Sequence, residues 1–386
     1  MSPLGIFIVM NDGGDFVEDW EKQYQETIQW LETEPLLKTL NNDTPEAKVW
    51  YRKKMEGCVN AGGSDNWMYL KKGATNNLVI FFVGGGFSLG KETAGYPGSI
   101  RDFFYPRMAF YTDECHPNNE YYFFHVLKNQ GLFSLDSGNR FADWSIVMVN
   151  YGTADMHMGN GEFIWQDETE QTQILRHHGY RNFKIYLDQI REMFPAPEKL
   201  LITGVSAGGF GTSALSAEIV HAYENCADIT ICADSAFLRT SDWPKIVREI
   251  WKAPEHLAQA VTGENIVLDL FRNVQEQIGG RAKYLYLCGY PDGVLATFQN
   301  YLDTGSFAPT EEAMQKMAQM LKKHIYALKE LPHPFGIYLH SFQKNGMTQH
   351  CVLDAPEFQM GDISPMEWLW NAVNGDVMDV GLDLLK

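Results

Sequence analysis

Six short runs of nearly unbroken apolar residues, each stopping at glycine or a polar turn, constrain this chain more than any other feature. They are "NLVIFFVGGG" (from Asn77), "WSIVMVNYG" (Trp144–Gly152), "KLLITGVS" (Lys199–Ser206), "ADITICADS" (Ala227–Ser235), "AKYLYLCGY" (Ala282–Tyr290) and "FGIYLHSF" (Phe335–Phe342). A strand that is apolar on both sides must be covered on both faces. The segments between the later runs are long enough for crossover helices: Arg176–Met193, the stretch from Ser206 to Tyr223, Trp243–Val274 and Thr310–Leu328. Strands alternating with helices predict an α/β fold with a mostly parallel central sheet and helices on both faces. No repeat, low-complexity tract or Pro/Ser-rich linker interrupts residues 1–386, so a single domain is expected. Two additions flank the pattern. Residues 15–55 carry Trp20, Tyr24, Ile28, Leu31 and Leu36 at helical spacing and read as a helical N-terminal lead-in. Residues 88–143 lack periodicity and are rich in aromatics, among them Tyr96, Phe103, Phe110 and Tyr121, an insertion suited to packing and to walling a pocket.

The third run ends in "GVSAGGFG", which fits G-x-S-x-G at Gly204–Gly208. Short motifs recur by chance, so the flanks decide. Here a buried strand precedes Ser206 and a helix rich in small residues follows it, as a strained strand-to-helix nucleophile turn requires. A helix N-terminus then places free N–H groups and positive potential beside the serine oxygen. An oxyanion needs two donors fixed in advance. The N–H of Ala207 is one candidate, and the glycines Gly84–Gly86 after the first run supply the other through Gly86 or Phe87. A phosphate-cradling loop is disfavoured, because Lys91 has no Ser or Thr after it.

A serine nucleophile needs a histidine base beyond the last strand and an acid after an earlier one. His340 lies inside the last apolar run and fits a core histidine. His350, in the polar loop "KNGMTQHCV", is the better base candidate. Asp292 in "GYPDG" follows a strand at once and is the first acid candidate, although Pro-Asp-Gly also makes an ordinary turn. Asp234 is the fallback and Asp303 is more remote. Asp155 and His157, in "NYGTADMHMG", follow another strand on the ligand-binding edge of the sheet. Their D-x-H spacing lacks a convincing third ligand, so no metal is expected. His177 and His178 read as surface residues pointing apart on a helix.

With 31 basic against 49 acidic residues, the formal net charge is −18, which argues against nucleic acid and anionic membranes as partners. Six dispersed cysteines without a C-x-x-C pair favour buried free thiols. The start "MSPLGIFIVMNDGGDF" has no basic n-region, and no run reaches bilayer-spanning length, so a cytoplasmic location is expected.

Taken together, four blocks resemble the pectin acetylesterase/Notum family of serine carboxylesterases. "IFFVGGGFS" is similar to that family's FFEGGGWC block, "NYGTADMHMG" to YCTGDxHxG, "GVSAGGFG" to GxSAGGxG, and "QHC" to its histidine block. The blocks run in family order from Cys58 to Cys351. The resemblance implies an α/β-hydrolase-like fold and a triad of Ser206, Asp292 and His350. It further implies an oxyanion hole from Gly86, Phe87 and Ala207, and places Asp155 and His157 in a substrate-facing or structural block near the pocket. The activity implied is hydrolysis of an acyl ester, acetyl first, on a carbohydrate or small molecule, with no cofactor. A lipase-like longer-chain deacylase, an amidase and a non-catalytic binding protein on the same scaffold are the alternatives. Phe87-Ser88 and Tyr151-Gly152 stand where the family has Trp-Cys and Tyr-Cys, so two family cysteine positions are vacant, which fits a reducing compartment.

Overall fold

In the computed structural model the described residues are 22, 25–26, 29, 37–41, 44–98, 109–112, 130–308, 310–344, 347–355, 358–359 and 361–386. The strands are β1 (Lys38–Thr39), β2 (Trp50–Val59), β3 (Asp65–Lys71), β4 (Asn77–Phe82), β5 (Ser145–Val149), β6 (Gly161–Gln166), β7 (Thr172–His177), β8 (Lys199–Val205), β9 (Asp228–Asp234), β10 (Ala282–Gly289) and β11 (Gly336–His340). Nine of them form one sheet in the order β1-β2-β3-β5-β4-β8-β9-β10-β11, while β6 and β7 pair as a separate antiparallel hairpin.

All six apolar runs are strands, and they are the six contiguous parallel strands from β5 to β11. Their side chains explain why. Leu78, Val79, Ile80, Phe81 and Phe82 of β4 are all buried, as are Ile146–Val149 of β5 and Leu200–Ile202 of β8. Each such aliphatic or aromatic side chain contributes about 1.5–3 kcal/mol when withdrawn from water. Pairing is in register at the far end: Gly204 lies beside both Phe82 and Ala233, and Val205 beside Asp234. In a parallel sheet this brings the segments after β4, β8, β9, β10 and β11 to one edge.

The long helices are α1 (Gly179–Met193), α2 (Ala207–Ala222), α3 (Ile266–Ile278), α4 (Gly293–Thr304), α5 (Glu311–Lys329) and α6 (Pro365–Val373). In α1 the buried Phe183, Tyr186, Leu187 and Ile190 recur at i, i+3, i+4 and i+7, an amphipathic helix laid on the sheet. By contrast, α2 is buried almost all round, against β4, β8, β9 and α3. It comes that close because Gly208 has no side chain. A Cβ there would stand 2.0 Å from the carbonyl oxygen of Phe82.

The lead-in differs from its sequence reading. Residues 22, 25, 26 and 29 are helical and exposed, and most of 15–36 lies outside the described residues. Trp50–Met55 belong instead to β2, antiparallel to β3. Near the sheet margin a strand meets solvent, so β2 carries Arg52, Lys53 and Lys54 and shows no continuous apolar run. Arg176 and His177 likewise close β7 rather than opening a helix, and helical structure between Trp243 and Ile278 comes in separate pieces around Pro254 and Gly263. Within the insertion, Pro97–Gly98 pairs with Tyr111–Thr112, whereas Phe103 and Tyr121 lie outside the described residues.

Replacing Gly208 with alanine is expected to destabilise the fold by about 3 kcal/mol, because backbone on both sides must move. Urea unfolding of wild type and Gly208→Ala measures it; equal midpoints would show that the α2–β4 contact can relax.

Candidate active site

Ser206 sits between β8 and α2 with φ 53° and ψ −125°, outside the regions that non-glycine residues favour. Such a conformation costs about 1–3 kcal/mol and persists only where its surroundings fix it. Ser206 N–H donates to the Asp234 carbonyl at 2.9 Å, and its own carbonyl accepts from Gly209 and Phe210 N–H at 2.8 and 3.2 Å. The side chain thus stands at the positive end of a 16-residue helix, and Ser206 remains partly exposed.

Over it lies a cleft lined, among the described residues, by Gly85, Gly86 and His350 and by Ala109, Phe110, Val294 and Phe298. Two backbone donors border the serine. Neither the Gly86 N–H nor the Ala207 N–H has an acceptor among the described residues. Phe87, the other glycine-loop donor expected from sequence, is excluded: its N–H donates to the Phe110 carbonyl at 2.7 Å, and its ring is buried. Gly86 makes the loop geometry possible, with φ 73° and no room for a Cβ against the Phe110 carbonyl.

His350 is buried, and its Nδ1–H donates to Asp292 Oδ2 at 2.7 Å. Its Nε2 has no hydrogen-bond partner among the described residues. Burial opposes the imidazolium, but the charge of Asp292, the hydrogen bond to it, and the charges of Asp234 and Asp354 outweigh that and raise the His350 pKa above its ordinary value. Asp292 caps α4, its Oδ1 accepting from Leu295 N–H at 2.9 Å. One carboxylate therefore fixes both a helix and a ring.

Asp234 does not touch the ring. Its Oδ2 accepts from Val352 and Leu353 N–H at 2.8 and 3.0 Å, and its Oδ1 from the Ser235 hydroxyl. Ser235 Oγ in turn accepts from Cys351 N–H, and Gln349 Nε2 donates to the carbonyls of His350 and Cys351. Asp234, Ser235 and Gln349 hold the His350 loop, a role the sequence did not reveal because their partners are backbone groups. Asp303 lies elsewhere, paired with Lys316. His340 is buried against Phe358, and burial lowers its pKa to about 4.

Asp155 and His157, the substrate-pocket candidates, do not line the cleft; of the two readings of their block, the structural one holds. Asp155 accepts four hydrogen bonds, from Thr153 Oγ1 and from the N–H groups of His157, Gly159 and Gly179. It organises the 153–159 loop and satisfies the first turn of α1. His157 Nε2–H donates to the Val83 carbonyl at 2.9 Å, immediately before the glycine run. Tyr151 adds a second prop, its hydroxyl donating to the Gly86 carbonyl at 2.7 Å. These residues therefore support the glycine loop from behind. His177 and His178 are also buried rather than surface residues: His177 Nδ1–H donates to the Thr153 carbonyl, and His178 precedes α1.

Among the described residues no cluster of three or more His, Cys, Asp or Glu could hold a metal ion, and no helix is long and apolar enough to cross a membrane. Cys58, Cys226, Cys232, Cys288 and Cys351 are free and buried, and Cys115 lies outside the described residues.

A mostly parallel sheet with a strained serine between an inner strand and a buried helix defines an α/β-hydrolase-like protein. The family model of pectinacetylesterases matches residues 46–300. The chain belongs to the pectinacetylesterase family and is a carboxylic ester hydrolase. Its fold is also that of the Wnt deacylase Notum from Drosophila, a solved structure with 14% sequence identity and a TM-score of 0.56; the match covers 85% of this chain and 95% of that one. No curated protein matches the chain.

Burial raises the Asp155 pKa to about 7, against the four hydrogen bonds that favour its charged form. A carboxyl raised in the folded state contributes stability that is complete below its unfolded pKa and is lost as pH rises through its folded value. The stability gap between wild type and Asp155→Asn should therefore shrink between pH 5 and pH 8. Urea unfolding at both pH values reads this, and a constant gap would contradict it.

Proposed function

We propose that this carboxylic ester hydrolase cleaves an acyl ester on a carbohydrate hydroxyl through a Ser206–His350–Asp292 triad. The observation that carries the reading is the His350 ring. One nitrogen is committed to Asp292 at 2.7 Å, while the other is unpartnered in a ring that shares its cleft with Ser206. With Nδ1 holding the proton, Nε2 presents a lone pair, the tautomer a general base needs. Ser206 Oγ gives its proton to Nε2 and attacks the ester carbonyl. The carbonyl oxygen becomes an oxyanion, received by the Gly86 and Ala207 N–H groups. Collapse of the tetrahedral intermediate expels the alcohol, which takes the proton from His350. Water activated by the same ring then releases the acid and restores Ser206. Asp292 holds the tautomer and stabilises the transient imidazolium.

A chain of net charge −18 repels polyanions, so an uncharged carbohydrate suits it better than polygalacturonate. The free, buried thiols fit a reducing compartment.

p-Nitrophenyl acetate tests the triad. Ser206→Ala should lose nearly all turnover. Asp292→Asn should lower kcat by on the order of 10³–10⁴-fold, whereas Asp234→Asn, at the loop clamp, should cost far less. The assignment of Asp292 fails if Asp234→Asn alone inactivates. The pH profile adds an independent check. His350 must be neutral to act as base, so the acid limb of kcat/KM should lie above pH 6.5 in the wild type, because its neighbouring carboxylates raise it, and should move down in Asp292→Asn.

A further inference from the structure

We propose that Phe298 closes the acyl side of the Ser206 cleft and restricts this enzyme to short acyl groups, with Val294 as the second wall residue. The inference rests on the Ser206 esterase reading and extends it to substrate length. Val294 and Phe298 are four residues apart on α4, so they present one face of the helix, and both line the cleft with Ser206 and His350. With the other described lining residues they leave a tight cleft, suited to a small group rather than an extended chain.

Among the described residues, the side chains that line the cleft apart from Ser206 and His350 are all apolar: Ala109, Phe110, Val294 and Phe298. A sugar ring buried there would leave its hydroxyls without partners, which is costly, whereas the methyl of an acetyl group loses nothing. The acyl part therefore occupies the cleft, and the alcohol stays outside.

Phe298 cannot readily swing aside to admit a longer chain. Its ring packs on Phe87 at 5.1 Å, on Phe307 at 5.1 Å and on Phe110 at 6.3 Å between centroids. A shift of α4 as a unit would pull its N-cap, Asp292, away from His350 Nδ1. Van der Waals walls of this kind discriminate by roughly 10–200-fold for each methylene that does not fit.

The test is a kcat/KM series on p-nitrophenyl acetate, butyrate, hexanoate and octanoate, with folding checked by thermal melts. Wild type should fall at least about tenfold from acetate to hexanoate. Phe298→Ala should raise the hexanoate-to-acetate ratio by about tenfold or more, Phe298→Leu should raise it less, and Val294→Phe should lower the butyrate-to-acetate ratio. If Phe298→Ala fails to fold, Phe298→Leu and Val294→Ala carry the same comparison. Wild type that prefers hexanoate, or folded variants with an unchanged ratio, would overturn the wall while leaving the esterase reading intact. Wild type inactive on every ester, or Ser206→Ala with full activity, would remove both.

Discussion

The candidate site hangs on one buried residue at the end of β9. Asp234 receives the Ser206 N–H on its backbone carbonyl and the Val352 and Leu353 N–H groups on its carboxylate. Through the first contact it anchors the strained turn; through the others it fixes the loop that carries His350. Burial raises its pKa to about 6 even though three hydrogen bonds favour the charged form. A costly buried acid is tolerated because no apolar residue could gather backbone donors from a distant loop.

Three carboxylates therefore divide the work at the same sheet edge. Asp155 organises the segment behind the glycine loop, Asp234 ties the His350 loop to the central strands, and Asp292 meets the imidazole itself. All three are fully buried. Their difference lies in their partners: four donors from one local loop and helix start, two N–H groups from a distant loop, or one ring nitrogen and a helix N-cap. Only the last meets a ring that keeps a nitrogen uncommitted among the described residues.

The parallel half of the sheet was legible in the sequence because strands buried on both faces spell themselves as continuous apolar runs. β2 and the β6–β7 hairpin were not, since strands that meet solvent mix charge with apolar residues; Ile164 and Ile174 even stand exposed on the hairpin. Ser206, Asp292 and His350, which the fold brings to one sheet edge, could be nominated together because their residue types and order follow from the chemistry. Phe87 could not be separated from Gly86 as a donor, because backbone hydrogen bonding depends on where the chain returns, here at Phe110. Asp155 and His157 drew notice for their polar pairing, yet a polar motif at a sheet edge reads the same whether it faces a ligand or props a loop.

Helix α4 begins at the acid that orients His350 and, a turn and a half later, forms the ceiling of the cleft. On the triad and wall proposed above, selection and turnover share one helix. Tilting this rod to widen the chamber would drag Asp292 from the imidazole. On the proposed wall, a new acyl preference therefore comes by exchanging side chains at fixed positions, a discrete alphabet of pocket depths rather than a continuous adjustment.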